Sequence, residues 1–97
     1  AVAGAKDKLH QLLLLHTTKK GVVHMREGIL IPDMQSGRAD IRFNSDDCYG
    51  GLHCGTTMDI WLNGQWVPTR IEMNGSGWFL VGVQIETLWG QMVRIRW

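Results

Sequence analysis

Two cysteines and a histidine lie close together in the middle of the chain, as Cys48, His53 and Cys54. Thiolate and imidazole are ligands that tetrahedral zinc prefers, and Cys₂His₂ is a common structural set. His24 is the best distant fourth ligand, with a loop aspartate as the alternative. The cysteine spacing is wider than that of a zinc knuckle, so a small buried Cys54 beside a surface His53 is the competing interpretation. The predicted cofactor is therefore one structural zinc ion.

A second group of residues predicts a binding surface. Side chains alternate along a strand, which places Trp61, Trp66 and Arg70 on one face of a predicted hairpin. Arg94 and Arg96 extend this group from the last strand. Exposed tryptophan and arginine are enriched in binding hot spots. The alternative is that an N-terminal helix covers the tryptophans.

The sequence carries no pattern typical of a catalytic centre. It has no serine nucleophile elbow, no glycine-rich phosphate loop and no HExxH helix. Cys54 follows His53 directly, but adjacent residues of an extended chain point to opposite sides and do not make a thiol and its base. We therefore predict that the protein is not an enzyme.

The elements that must position these residues are organised around 52–82. Asn63-Gly64 fits a two-residue type I′ turn, because both residues tolerate a positive φ. A loop of two residues pairs Leu62 with Gln65 and Trp61 with Trp66. A looser turn of the same chemistry follows at 74–77 and leads into a third strand, so the predicted strands of this region are Thr56–Leu62, Gln65–Met73 and Trp78–Val83.

Further strands are predicted at 28–32, 39–43 and 91–97, and a helix is predicted before them, over 5–20. Within Lys6–His16, an apolar stripe with helical spacing is formed by Leu9, Leu12, Leu13 and His16. A chain of 97 residues is expected to be one domain. The prediction is therefore a mainly β domain, a small SH3-like antiparallel barrel of five to six strands over 28–97 with an N-terminal α-helix. An open antiparallel sheet with the helix on one face is the alternative.

Charge and hydropathy narrow the classes of partner. The net charge is +1 and the pI is about 8.1. A nucleic-acid-binding domain typically has a pI above roughly 9. The apolar run Leu12–Leu15 is far shorter than the ~20 residues of a membrane span, and no small-residue cleavage site follows it. We predict a cytoplasmic protein with no membrane partner.

The pieces LHCG, GQWVPTRIEM and GWFLVG, with VRI near the end, resemble a family of short proteins of unknown function. Those proteins come from Gram-positive bacteria, their mobile elements and their phages. The resemblance implies a small β-barrel and supplies no catalytic residues. Its phage members invite comparison with counter-defence proteins, including inhibitors of the RNA-guided nuclease of type II CRISPR systems.

These observations predict a non-enzymatic macromolecule-binding protein of phage or mobile-element origin. The most specific prediction is an anti-CRISPR inhibitor that binds a type II CRISPR effector nuclease and blocks the substrate site of that nuclease. The alternative is a small nucleic-acid-binding or regulatory SH3-like module, because small barrels bind single strands by aromatic stacking and basic grooves.

Overall fold

The computed structural model describes residues 23–97, which form one antiparallel sheet. Its strand order is β3-β2-β1-β7-β4-β5-β6. The predicted helix over 5–20 lies outside the described residues. The seven strands are β1 (Met25–Pro32), β2 (Ala39–Asn44), β3 (Asp47–Cys48), β4 (Thr57–Leu62), β5 (Gln65–Asn74), β6 (Gly77–Leu80) and β7 (Met92–Arg96).

The predicted closed SH3-like barrel is not what the described residues form. The sheet is open, as in the alternative interpretation, and its edge strands β3 and β6 are not paired with each other. These edges have only two and four residues, too few for a ladder that would close the sheet. A side chain of the edge strand β6 reaches the turn between β1 and β2 instead, because Trp78 Nε1 donates a hydrogen bond to the carbonyl oxygen of Gly37 at 3.1 Å.

The central hairpin has the predicted register. Leu62 pairs with Gln65 and Trp61 with Trp66, and the turn residue Asn63 has a φ of 51°. This positive φ is the one that a type I′ turn requires. The next hairpin pairs Met73 with Trp78, the two residues that flank the predicted turn at 74–77.

The core lies on one face of the curved sheet. Its buried side chains come from every strand except β3, and one more comes from the connection between β3 and β4. That connection stays against the sheet because the backbone N–H of Leu52 donates to the carbonyl of Ala39 at 2.8 Å. The core consists of Leu30, Ala39, Ile41, Leu52, Met58, Ile60, Ile71, Leu80, Val93 and Ile95.

A buried carboxylate holds the same connection in place. Asp40 Oδ1 accepts hydrogen bonds from three backbone N–H groups, those of Ile41 at 2.8 Å, Gly50 at 2.9 Å and Gly51 at 3.0 Å. Buried polar groups need such partners, because an unpaired one has a large desolvation cost. The glycines suit this arrangement, since their φ angles of 110° and 106° are strained for other residues.

The turn between β1 and β2 provides a prediction about pH. A hydrogen bond from the Ser36 hydroxyl, at 2.7 Å, and one from the Gln35 N–H hold the pKa of Asp33 below its ordinary value of 3.8. Because the folded pKa is the lower one, this contribution to stability is present above the unfolded pKa and is lost as pH falls through the folded pKa. We expect Ser36→Ala to raise the pKa of Asp33 in an NMR titration. An unchanged pKa would show that the hydroxyl does not stabilise the carboxylate.

Candidate binding face

The side of the sheet opposite the core is a broad surface across β1, β7, β4 and β5, called here the outer face. Its centre is a row of neighbouring residues, in which Glu27 pairs with Arg94, Arg94 with Asp59, and Asp59 with Pro68. Since Leu30, Ile60 and Val93 point into the core, alternation directs these residues outward.

Trp61 and Trp66 form an edge-to-face pair on this surface. Their ring centres are 5.0 Å apart with an interplanar angle of 65°, and Trp61 keeps 41% of its surface exposed. The Arg94 guanidinium carbon lies 4.7 Å from the Trp66 ring centre, while Arg94 Nε donates to Asp59 Oδ2 at 2.8 Å. The arginine thus joins the aromatic pair to the charged row, and the three predicted binding residues Trp61, Trp66 and Arg94 lie together.

The other two predicted arginines lie towards one end of the outer face. Arg70 Nε donates to Glu72 Oε2 on the same strand at 3.0 Å. Arg96 is opposite Met25, and within residues 23–97 it forms no ion pair. The structure therefore distributes the five predicted binding residues over one face without concentrating them at one point.

A cleft opens at this end of the outer face. The pairing between β4 and β7 is limited to Asp59 with Arg94 and Ile60 with Val93, so the two strands part beyond it. The resulting depression has a volume of about 470 Å³ and is called here the β4–β7 cleft. It is lined by Val23, Met25, Thr57, Met58, Asp59, Pro68, Thr69, Arg94 and Arg96.

Four apolar residues of this face were not among the predicted binding residues. Val23, Met25, Ile29 and Met92 are exposed, and Ile29 is directly opposite Met92 on the neighbouring strand. Strand alternation could have found Ile29 and Met92, because each is adjacent in sequence to a core residue. They extend the apolar part of the outer face from the tryptophan pair onto β1 and β7.

The charges of the outer face are balanced. Across residues 23–97 there are six arginines and eight acidic residues, a net charge of −2, whereas residues 1–22 carry four lysines and one aspartate, a net charge of +3. The described domain therefore has no overall positive potential. The outer face itself carries three arginines and three acids, namely Arg70, Arg94 and Arg96 and Glu27, Asp59 and Glu72. Arg70 and Arg94 are in ion pairs, whereas Arg96 is in none within residues 23–97.

The predicted zinc ligands are not gathered into a site. Among residues 23–97 no group of three or more histidine, cysteine or acidic side chains is placed to hold a metal ion. Cys48 is half-buried in β3, and Cys54 is exposed in a turn. His53 Nδ1 lies 3.1 Å from Arg38 Nη1, and because a guanidinium can only donate, this nitrogen is the acceptor.

Zinc therefore remains a prediction from the sequence, and it has a direct test. A zinc bound by Cys48, His53, Cys54 and His24 would require these side chains to move together. If zinc binds, a chelator should lower the melting temperature, as should Cys48→Ser without chelator. Elemental analysis of protein purified without added metal decides the matter. A trace of zinc and an unmoved melting curve would make both cysteines ordinary thiols.

The described residues thus form a small antiparallel β domain with an exposed, partly apolar outer face. A domain of unknown function (DUF5348) matches residues 28–95, which is more than half of the chain, and the chain belongs to this family. The predicted resemblance to a family of unknown function is confirmed. Residues 23–97 contain no helix that is long and apolar enough to cross a membrane.

The chain is also similar to a solved structure. A crystal structure of a protein from Ruminococcus gnavus matches with 50% identity and a TM-score of 0.68. The match covers 72% of this chain and 100% of the other. No match to the chain is found among curated proteins.

Proposed function

We propose that the protein is a non-enzymatic binding domain that contacts another protein through its outer face. The observation that carries this proposal is the Trp61–Trp66 pair, held against Arg94 and partly exposed. Tryptophan and arginine are the side chains that dominate binding energy when a partner removes water from them.

The arrangement is suited to binding because it is already ordered. Trp61 and Trp66 are directly paired on neighbouring strands, and the guanidinium of Arg94 is fixed by Asp59. A partner would not have to immobilise these side chains, which saves about 0.5–1.5 kcal/mol for each. The apolar residues Ile29 and Met92 widen the surface that a partner could cover.

The charge balance favours a protein partner over a nucleic acid. The tryptophan pair could stack on bases, as in other small β domains that bind single strands. Phosphate binding also needs unneutralised cations, however, and two of the three arginines of the outer face, Arg70 and Arg94, are held in ion pairs. A nucleic-acid-binding module therefore remains the second candidate.

A narrower proposal concerns the identity of the partner. The sequence resemblance suggests a phage or mobile-element protein that inhibits a type II CRISPR effector nuclease by blocking its substrate site. This proposal rests on that resemblance alone, and family membership adds no support for it. A target-cleavage assay tests it directly. Undiminished cleavage with excess protein would exclude this partner while leaving the outer face as the binding surface.

The general proposal is tested by capture with matched variants. We expect the immobilised full chain to enrich a specific protein from a lysate of the organism that encodes it, with and without nuclease treatment. Trp61→Ala should weaken that binding about 30-fold, which corresponds to a hot-spot loss of about 2 kcal/mol. Met34→Ala is the control, because Met34 is 87% exposed in the turn between β1 and β2.

Two outcomes would contradict the proposal. Equal binding by the Trp61→Ala and Met34→Ala variants would show that the tryptophan pair is not in the interface. Binding that disappears with nuclease, and that falls steeply with salt, would favour the nucleic-acid-binding module. The melting temperature of each variant is measured first, so that lost binding is not confused with lost folding.

A further inference from the structure

The chain enters the described domain at the edge of the outer face. The backbone N–H of Trp97 donates to the carbonyl of His24 at 2.9 Å, which fixes the point of entry beside the end of β7. Val23, the first described residue, lines the β4–β7 cleft together with Met25 and Arg96. Residues 1–22 are therefore joined to the domain next to the exposed apolar residues of this face.

Residues 1–22 combine a positive net charge with an apolar stripe. Their net charge is +3, and that of residues 23–97 is −2. They include the predicted apolar stripe, which needs a surface to cover it. That stripe consists of Leu9, Leu12, Leu13 and His16, widened by Leu14 and Leu15.

We propose that residues 1–22 dock on the outer face of the same chain, with the leucine stripe over Met25, Ile29 and Met92. The segment then occupies part of the surface assigned to the partner. If the outer face binds a partner, as proposed above, the docked segment competes with that partner and lowers the partner's apparent affinity. Only this consequence rests on the proposed function. The docking itself can be measured without any partner.

The dimensions agree with this arrangement. The outer face measures about 13 Å along β1 from Met25 to Ile29, at 3.3 Å per residue. A helix over the eleven residues Lys6–His16 would be about 16 Å long, at 1.5 Å per residue. The helix predicted over 5–20 leaves two residues, Gly21 and Val22, before Val23, and connections between a helix and a strand can be this short.

Methionine methyl groups report on the docking. The chain has five methionines. Met25 and Met92 lie on the outer face with 38% and 43% exposure, while Met73 and Met34 lie elsewhere with 48% and 87%. The full chain is labelled with ¹³C at the methionine methyls, and relaxation by a soluble paramagnetic gadolinium chelate is measured by NMR. Docking predicts relaxation of Met25 and Met92 several-fold slower than that of Met73.

Variants of the segment provide the decisive comparison. The double substitution Leu12→Asp and Leu13→Asp should raise the relaxation of Met25 and Met92 to the level of Met73, without changing Met73 or Met34. Gln11→Asp is the control, because residue 11 lies opposite the stripe on a helix. Any partner found by capture should bind the double variant more tightly than the wild type.

Several results would overturn the proposal. Relaxation of Met25 and Met92 equal to that of Met73 in the wild type would show that nothing covers the face. Protection that disappears on dilution would assign the face to a second copy of the chain. Protection that survives the double substitution would exclude the leucine stripe as the occupant. If docking is observed and no protein is captured, the proposed function fails while this inference stands.

Discussion

Gly28→Ala is expected to lower the free energy of unfolding by about 3 kcal/mol, at the upper end of the range for overpacked cores. A Cβ atom at this position would lie 2.5 Å from Ile41 Cγ2 and 2.6 Å from the carbonyl oxygen of Arg42. It would also lie 3.0 Å from Phe43 Cδ1. The contact with a backbone oxygen cannot be relieved by a rotamer change, so β1 and β2 must separate. The measurement is urea unfolding followed by tryptophan fluorescence.

The matched control is Gly75→Ala in the turn between β5 and β6. No atom lies within 4 Å of a Cβ built there, and φ at this position is not positive. We expect this variant to remain within about 0.5 kcal/mol of the wild type, as is usual for surface substitutions. Equal stability of the two variants would contradict the close approach of β1 and β2 at Gly28.

Asp40→Ala is expected to destabilise the protein by about 3 kcal/mol, because it leaves three backbone N–H groups without their acceptor. These groups belong to Ile41, Gly50 and Gly51, and they hold the connection between β3 and β4 against β2. For a domain of this size the melting temperature should fall by about 12 °C or more. Thermal unfolding followed by circular dichroism measures the change.

Two further variants test whether the stability comes from the Asp40 carboxylate and not from other features of the loop. Asp40→Asn keeps an acceptor oxygen and should cost less than the alanine variant, because only the charge-assisted part of the bonds is lost. Asp46→Ala is the control, since the Asp46 side chain is exposed. A small effect of Asp40→Ala, similar to that of Asp46→Ala, would show that the three hydrogen bonds do not anchor the connection.

The hairpins could be predicted because their information is local. The turn at Asn63-Gly64 determines which residues are opposite one another, so Trp61 and Trp66 could be paired from the six residues 61–66 alone. The wider architecture could not be predicted in this way. Closure into a barrel depends on the lengths of the edge strands, and β3 has only two residues inside a segment with the composition of a polar loop.

The zinc hypothesis shows the limit of sequence spacing. Cys48, His53 and Cys54 are close along the chain, but Cys48 ends a strand that pairs with β2, whereas Cys54 lies in the turn before β4. Between them, Asp40 binds the N–H groups of Gly50 and Gly51, which determines the path of the loop. Nothing in the spacing of the cysteines indicates that a residue of β2 has this role.

The sequence by itself determined the hairpins, the alternation of core and surface residues, and the presence of two tryptophans on one face. These follow from turn chemistry and from the two-residue period of a strand. Only the tertiary structure placed β7 between β1 and β4, which brings Arg94 onto Trp66 and opens the β4–β7 cleft. Those contacts join residues more than twenty positions apart, and which strands become neighbours is decided by the packing of the whole core.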